Sequence, residues 1–268
     1  MLKRMVALAA MLVACNSANA VDASCGDAVA CKVRDGDYRI AMPEGDVRGA
    51  YVYFHGYSGS AADQMRQKRL VDTVLAHHLA FVALDGIEGS WSIPGGPEQA
   101  RDDQAYVRNV LSDIGKKHGF KPANTLVGGF SLGASMAWYA ACKQGNRFAG
   151  MITFSGVFWD PLPKPTDCTA KLPPMIHIHG RADGTFPLKG RPIGDRYHQG
   201  DTFQSLAIYR KRAACEAPKP SKPLVADLEC DTAPGCGRGT STLCLHRGGH
   251  MVRTGDLDAA LTEIGYPR

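Results

Sequence analysis

Ser131 stands at the centre of Gly129-Phe130-Ser131-Leu132-Gly133, a G-x-S-x-G pattern with an apolar run before it and a helix-forming run, ASMAWYAACKQ, after it. Strand, sharp turn and helix in that order expose the hydroxyl at the tip of the turn. The backbone there is held in a sparsely populated conformation that costs roughly 1–3 kcal/mol and must be sustained by packing on both sides. Glycines flank the serine because a side chain at either position would meet the neighbouring strand or helix. A serine hydroxyl is a poor nucleophile at neutral pH. It needs a general base within hydrogen-bond reach, and that base needs a carboxylate to orient it.

On a nucleophile presented in this way the chain order is serine, acid, histidine. Downstream of Ser131 lie His177, His179, His198, His246 and His250. His177 and His179 fall in or at the end of a strand that precedes the acid candidate, which suits packing or hydrogen bonding. His198 follows Asp183 too soon, in mid-loop. His250 comes after Gly248-Gly249, beyond the last strand and before the last helix, and is the first choice for the base, with His246 its competitor four residues earlier. For the acid, Asp183 in HGRAD lies four residues past a buried strand. Asp160, Asp167, Asp195 and Asp201 are the alternatives: Asp160 sits between Trp159 and Pro161 as a pocket wall, Asp167 among prolines, Asp195 deep in a loop, and Asp201 at a helix start. Attack on a carbonyl carbon creates an oxyanion, and losing one donor to it costs about 3 kcal/mol. The backbone N–H of Leu132, at the helix start, is one candidate donor. That of Tyr57, in His55-Gly56-Tyr57 after the run AYVYF, is the other.

The elements that must position these groups follow from periodicity. AYVYF (50–54) is a continuous apolar and aromatic run suited to a buried strand, LAFVAL (79–84) is the next buried strand, and LVGG (126–129), GMITFS (150–155) and MIHIH (175–179) read as further strands. Helices are expected over 61–77, 100–117, the run after Ser131, 201–214 and 257–264, with an edge strand at DYRIAM (37–42) and late strands at 224–228 and 242–246. This alternation implies an α/β fold with a mostly parallel central sheet and helices on both faces. Ligands in such sheets bind beyond the carboxyl ends of the strands. The loops carrying His55, Trp91, Ser131, Asp160 and Asp183 therefore collect at one rim. Trp91, Trp159 and Tyr197 are the candidates to line a substrate pocket there, with loop packing as the alternative role.

Residues 1–20 carry Lys3 and Arg4, then an apolar run and small residues, which reads as an export signal too short to span a bilayer. Two cleavage sites compete. Ala18-Asn19-Ala20 fits small-x-small, whereas Leu12-Val13-Ala14-Cys15 resembles a lipobox that would leave Cys15 lipidated as the only membrane attachment. Of nine cysteines, Cys15 apart, eight remain, an even number that reads as a disulfide framework of an oxidising compartment. Their pairing stays open among 105 possibilities, although Cys25 with Cys31 would close a short loop and the last four would tie down the C-terminal region. No C-x-x-C pair or ligand-spaced histidine pair points to a metal. The formal charge of +5 drops to +3 if Lys3 and Arg4 leave, and no basic run argues for nucleic acid. One catalytic domain over 21–268, acting as a monomer, is expected.

The motifs YFHGYSGSAAD, DDQAYVRNVLSDI, LVGGFSLGASMAW, HIHGRADGTFPL and GGH occur in this order from about Arg48 to Arg253. In this the chain resembles the secreted esterase family of polyhydroxybutyrate depolymerases and feruloyl or acetylxylan esterases. The resemblance implies an α/β-hydrolase fold, stabilised by disulfides, and serine hydrolysis of carboxylic esters without metal or cofactor. It implies Ser131 as nucleophile, Asp183 as acid, His250 as base, and Tyr57 and Leu132 as oxyanion donors. The substrate implied is a hydroxyalkanoate polyester or oligomer, or a feruloyl or acetylxylan-type ester. The family often has cysteine where Tyr57 stands and an aromatic residue soon after the base, where this chain has Met251-Val252. Asp102 and Asp103 are expected as helix-terminus charges.

Overall fold

The computed structural model describes residues 25–268; the expected export signal over 1–20, with Cys15 and both candidate cleavage sites, lies outside them. The strands are β1 (Cys31–Val33), β2 (Gly36–Ala41), β3 (Gly49–Phe54), β4 (Leu79–Leu84), β5 (Thr125–Phe130), β6 (Gly150–Phe154), β7 (Trp159–Asp160) and β8 (Met175–Gly180), then β9 (Pro192–Ile193), β10 (Tyr197–Gln199), β11 (Lys219–Ser221), β12 (Glu229–Cys236) and β13 (Gly239–His246). The helices are α1 (Ala61–Arg66), α2 (Lys68–Leu75), α3 (Asp103–His118), α4 (Leu132–Gln144), α5 (Thr202–Arg212) and α6 (Thr254–Glu263).

Period-2 alternation sorts the strand side chains onto two faces. In β3, Ala50, Val52 and Phe54 join one hydrophobic cluster, and Tyr51 and Tyr53 join the other; in β4, Ala80, Val82 and Leu84 oppose Leu79, Phe81 and Ala83. Both strands are buried along their whole length, as a sheet covered on both faces requires. Helices α3, α4 and α5 feed the first cluster, α1, α2 and α6 the second. The main sheet has the order β1-β2-β4-β3-β5-β6-β8-β13-β12-β11. Its centre, from β4 to β13, is parallel. This is the α/β-hydrolase fold. Its parallel strands end at one rim, which carries the site.

The departures from expectation lie at the margins. β2 is not an edge, because β1 pairs with it antiparallel across a turn in which Asp35 takes φ +70°. The helix expected over 61–77 is broken at Gln67, whose ψ of 70° leaves the helical region. Residues 224–228 form a turn instead of a strand: the Leu228 N–H returns to the Val225 carbonyl, and the chain pairs on either side of it, as β11 and β12. The loops over the rim contribute a small second sheet, β7-β10-β9.

Four disulfides join Cys25 to Cys31, Cys142 to Cys168, Cys215 to Cys236 and Cys230 to Cys244. Cys230 and Cys244 face each other across β12 and β13. Such a set fits an oxidising compartment. No helix among the described residues is long and apolar enough to cross a membrane.

Candidate active site

Ser131 follows the last residue of β5 and precedes the first of α4, with φ 58° and ψ −125°. Its N–H donates to the Phe154 carbonyl (2.9 Å), and its carbonyl accepts from Ser135 (3.1 Å). The turn is thus fixed by β6 on one side and α4 on the other. Two glycines let these elements close in. A Cβ on Gly129 would lie 2.6 Å from the Gly133 carbonyl, and one on Gly133 would run into the carbonyl oxygens of Phe54 and His55 at the end of β3. The Ser131 side chain makes no capping hydrogen bond, so its hydroxyl is not diverted to the helix.

Asp183 lies in the loop after β8 and His250 in the loop after β13. These strands are parallel neighbours. Their loops are joined where Arg181 N–H donates to the His246 carbonyl (2.8 Å) and Ala182 N–H to that of Gly248 (3.1 Å). That brings Asp183 Oδ2 to 2.7 Å from His250 Nδ1. A carboxylate only accepts, so Nδ1 carries the proton and Nε2 keeps a lone pair. Asp183 Oδ1 accepts from the N–H groups of Thr185 (2.9 Å) and Phe186 (2.8 Å). Burial acts to raise the Asp183 pKa, but hydrogen bonds from His179, His250 and the Phe186 N–H outweigh it and hold the carboxyl well below the usual carboxylate range. The Phe130 ring, next to Ser131, stacks on the His250 imidazole with centroids 4.5 Å apart. His246, the competing base, is buried, and its Nδ1 accepts from the Gly248 N–H (3.0 Å) in the turn that leads to His250.

The loop after β3 approaches the serine closely: a Cβ on Gly56 would be 3.4 Å from that of Ser131. Among the described residues, neither the Tyr57 N–H nor the Leu132 N–H donates to another protein atom. The loop is held by His55, whose Nδ1–H donates to the Gly56 carbonyl (2.8 Å) and whose Nε2 accepts from the Gly86 N–H (2.9 Å). Burial lowers the His55 pKa and keeps it neutral, as that pairing demands. Trp91 is 1 % exposed, and its indole N–H donates to the His55 carbonyl (2.8 Å). Its own loop is anchored by a buried ion pair: Asp103 accepts from Arg101 Nε (2.7 Å) and from the Ser92 N–H (2.6 Å). Asp102 caps α3 as its position suggests, whereas Asp103 holds this loop.

Trp159 is 4 % exposed, and its indole donates to Ser135 Oγ (3.2 Å). Trp91 and Trp159 thus support the rim loops from beneath, with no open ring face. Tyr197 is half-buried on β10, beside the guanidinium of Arg196. Of the other acids, Asp160 pairs with His198 (2.8 Å), Asp167 accepts from the Lys164 N–H, and Asp201 caps α5. Among the described residues no cluster of three or more His, Cys, Asp or Glu is placed to hold a metal ion. Sequence reasoning gave no role at the site to His55 or His179. The signal for His179 was MIHIH, two histidines at i and i+2 on one face of a fully buried strand.

The curated relative NocK of Nocardia uniformis subsp. tsuyamanensis, a candidate esterase, is 29% identical over 154 residues, 56% of this chain; the match spans 44% of that relative's length. Among solved structures, an acetyl xylan esterase from Aspergillus awamori aligns with a TM-score of 0.65 at 15% identity, covering 86% of this chain and 94% of that one. Esterase PE8 aligns at 0.58 and 19% identity, covering 87% and 100%. At these identities the likeness concerns the fold. The model of one family, described as phospholipase/carboxylesterase, matches residues 36–200, more than half of the chain, and the protein belongs to that family.

Proposed function

We propose that the protein is an exported serine esterase. Ser131 Oγ attacks the ester carbonyl carbon as its proton passes to His250 Nε2, and the oxyanion is received by the N–H groups of Tyr57 and Leu132. The imidazolium, held by Asp183, returns the proton to the departing alkoxide and leaves an acyl group on Ser131. Water then attacks the acyl-enzyme by the same route and releases the acid. The observation that carries this reading is the 2.7 Å contact between Asp183 and His250, whose ring lies against that of Phe130, next in sequence to a serine held at φ 58°. The family membership supports ester hydrolysis as the reaction class.

The ordered motifs favour a hydroxyalkanoate polyester or its oligomers. Tyr57, 66 % exposed, and Met251, 43 % exposed, offer apolar surface next in sequence to Gly56 and His250, which suits an extended ester chain. Feruloyl and acetylxylan-type esters are the competing class. The disulfides and the leader support export, with processing before Cys15 or after Ala20. The test is fluorophosphonate labelling and hydrolysis of short-chain nitrophenyl esters. Ser131→Ala is expected to abolish labelling and to lower kcat by about 10⁴-fold or more; undiminished turnover by the folded variant rejects the reading. A screen of polyhydroxybutyrate, hydroxybutyrate oligomers, methyl ferulate and acetylated xylan then identifies the ester.

A further inference from the structure

A chain of buried polar side chains runs along the face of the sheet beneath α4 to the back of Asp183. The Trp138 indole N–H on α4 donates to Thr153 Oγ1 on β6 (3.2 Å). Thr153 Oγ1 and His177 Nδ1 are 2.9 Å apart, and His177 Nε2 and His179 Nδ1 3.0 Å. His179 Nε2 lies 2.7 Å from the Phe186 carbonyl oxygen and 3.3 Å from Asp183 Oδ2. His177, His179 and Thr153 are all fully buried.

The two ends and the neutral His177 between them select one direction for each bond when a single proton sits on each imidazole. An indole only donates, while a carbonyl and a carboxylate only accept. His179 must therefore carry a proton on Nε2, and in the arrangement with one proton per imidazole its Nδ1 accepts from His177 Nε2–H. His177 Nδ1 in turn accepts the Thr153 hydroxyl proton, and Thr153 accepts from Trp138. Burial lowers the His177 pKa strongly, which keeps this member neutral.

We propose that His179 is a positioning residue for Asp183, its tautomer set by His177, Thr153 and Trp138, so that the acid is clamped between two imidazoles that share Oδ2. This rests on the esterase reading for its consequence in turnover, though not for the clamp itself. Oδ1 is already held by two backbone N–H groups. Oδ2 has His250 on one side and His179 on the other, so loss of His179 leaves its charge to His250 alone. The titratable groups that face His179 are His177 on its own strand, Asp183 after it, and His246 and His250 at and beyond the end of β13, with Arg253 behind His246. From β6 and α4 come the neutral Thr153 and Trp138.

The test compares His179→Met with His179→Gln in the full, disulfide-intact protein. Met fills much of the same volume without a donor, whereas the Gln amide nitrogen falls near the position of imidazole Nε2. His179→Met is expected to lower kcat by about 10- to 100-fold with KM within about twofold, and His179→Gln to recover most of that loss. With Oδ2 no longer shared, the imidazolium form of the base is favoured in His179→Met, and the acid limb of kcat/KM moves up by about half a pH unit or more. A merely structural role would not move it. The low-field proton resonance of His250 Nδ1–H provides a second readout that needs no turnover. It should shift or broaden in His179→Met and persist in His179→Gln. If Ser131 proves unreactive yet the resonance behaves so, the esterase reading fails and the clamp stands. Equal impairment of both variants, or an unmoved limb and resonance in folded His179→Met, overturns the proposal.

Discussion

Three histidines at the carboxyl ends of β8 and β13 differ in what their nitrogens meet, and this decides what each contributes. His250 Nδ1 meets a carboxylate, His246 Nδ1 a backbone N–H, and both nitrogens of His179 are occupied. Removing the His246 acceptor leaves the Gly248 N–H without its partner. His246→Ala should therefore lower the free energy of unfolding by about 1–3 kcal/mol, read from urea midpoints, while kcat stays within about tenfold. His250→Ala should do the reverse, lowering kcat by about 10³-fold or more with little change in stability. If His246→Ala proves the more damaging to turnover, the assignment of the base is wrong. Sequence order singled out Asp183 and His250, and the structure brings these two into contact. His179 was harder to read because a histidine inside a buried strand looks the same whether it packs or clamps. Only the fold shows that its Nε2, bonded to the Phe186 carbonyl, also reaches a carboxylate.

At the scale of elements, the site depends on how closely α4 can seat against the ends of β3 and β5. Gly133 sits where a methyl group would strike the Phe54 and His55 carbonyl oxygens, and these belong to the strand and loop that bring Gly56 to Ser131. Backbone carbonyls in the middle of a parallel sheet have little room to retreat. Gly133→Ala is therefore expected to cost at least about 2 kcal/mol in stability. It should also lower kcat by displacing the helix start from the loop after β3. Chemical unfolding together with nitrophenyl ester kinetics measures both, and a variant as stable and active as the parent refutes the close-approach argument. The central strands were legible in the sequence because a fully buried parallel strand is written as an unbroken apolar run, as in LAFVAL and AYVYF. The β12–β13 arm was less so. From Glu229 to Cys236 only Cys230 and Ala233 are buried, the register shifts between Ala233 and Cys236, and a cross-strand disulfide between Cys230 and Cys244 takes the place of some apolar burial.

For the whole molecule, the buried histidines make stability depend on pH in a direction that can be worked out. His55, His177 and His246 all have pKa values lowered by burial. In the folded protein they stay neutral below the ordinary histidine value of about 6.5, whereas the unfolded chain takes up protons there. The unfolded state then binds more protons than the folded one, so stability rises with pH and falls on acidification below about 6.5. Each such group contributes a slope of about 1.4 kcal/mol per pH unit until its own lowered pKa is reached. Asp183 and Asp258, both held below the usual carboxylate range, give a separate loss. Their contribution is present above about pH 4 and disappears as pH falls further. Urea midpoints at pH 7.5, 6.5, 5.5 and 4.5 should therefore be level between the first two and fall steeply across the others, well before the carboxylates titrate. Because His55 holds the loop after β3 and His177 the chain behind Asp183, this same window should see activity lost through unfolding. Returning the sample to pH 7.5 should restore that activity only at the refolding rate. A midpoint that stays level from pH 6.5 to 5 would show that these histidines are not held neutral by the fold.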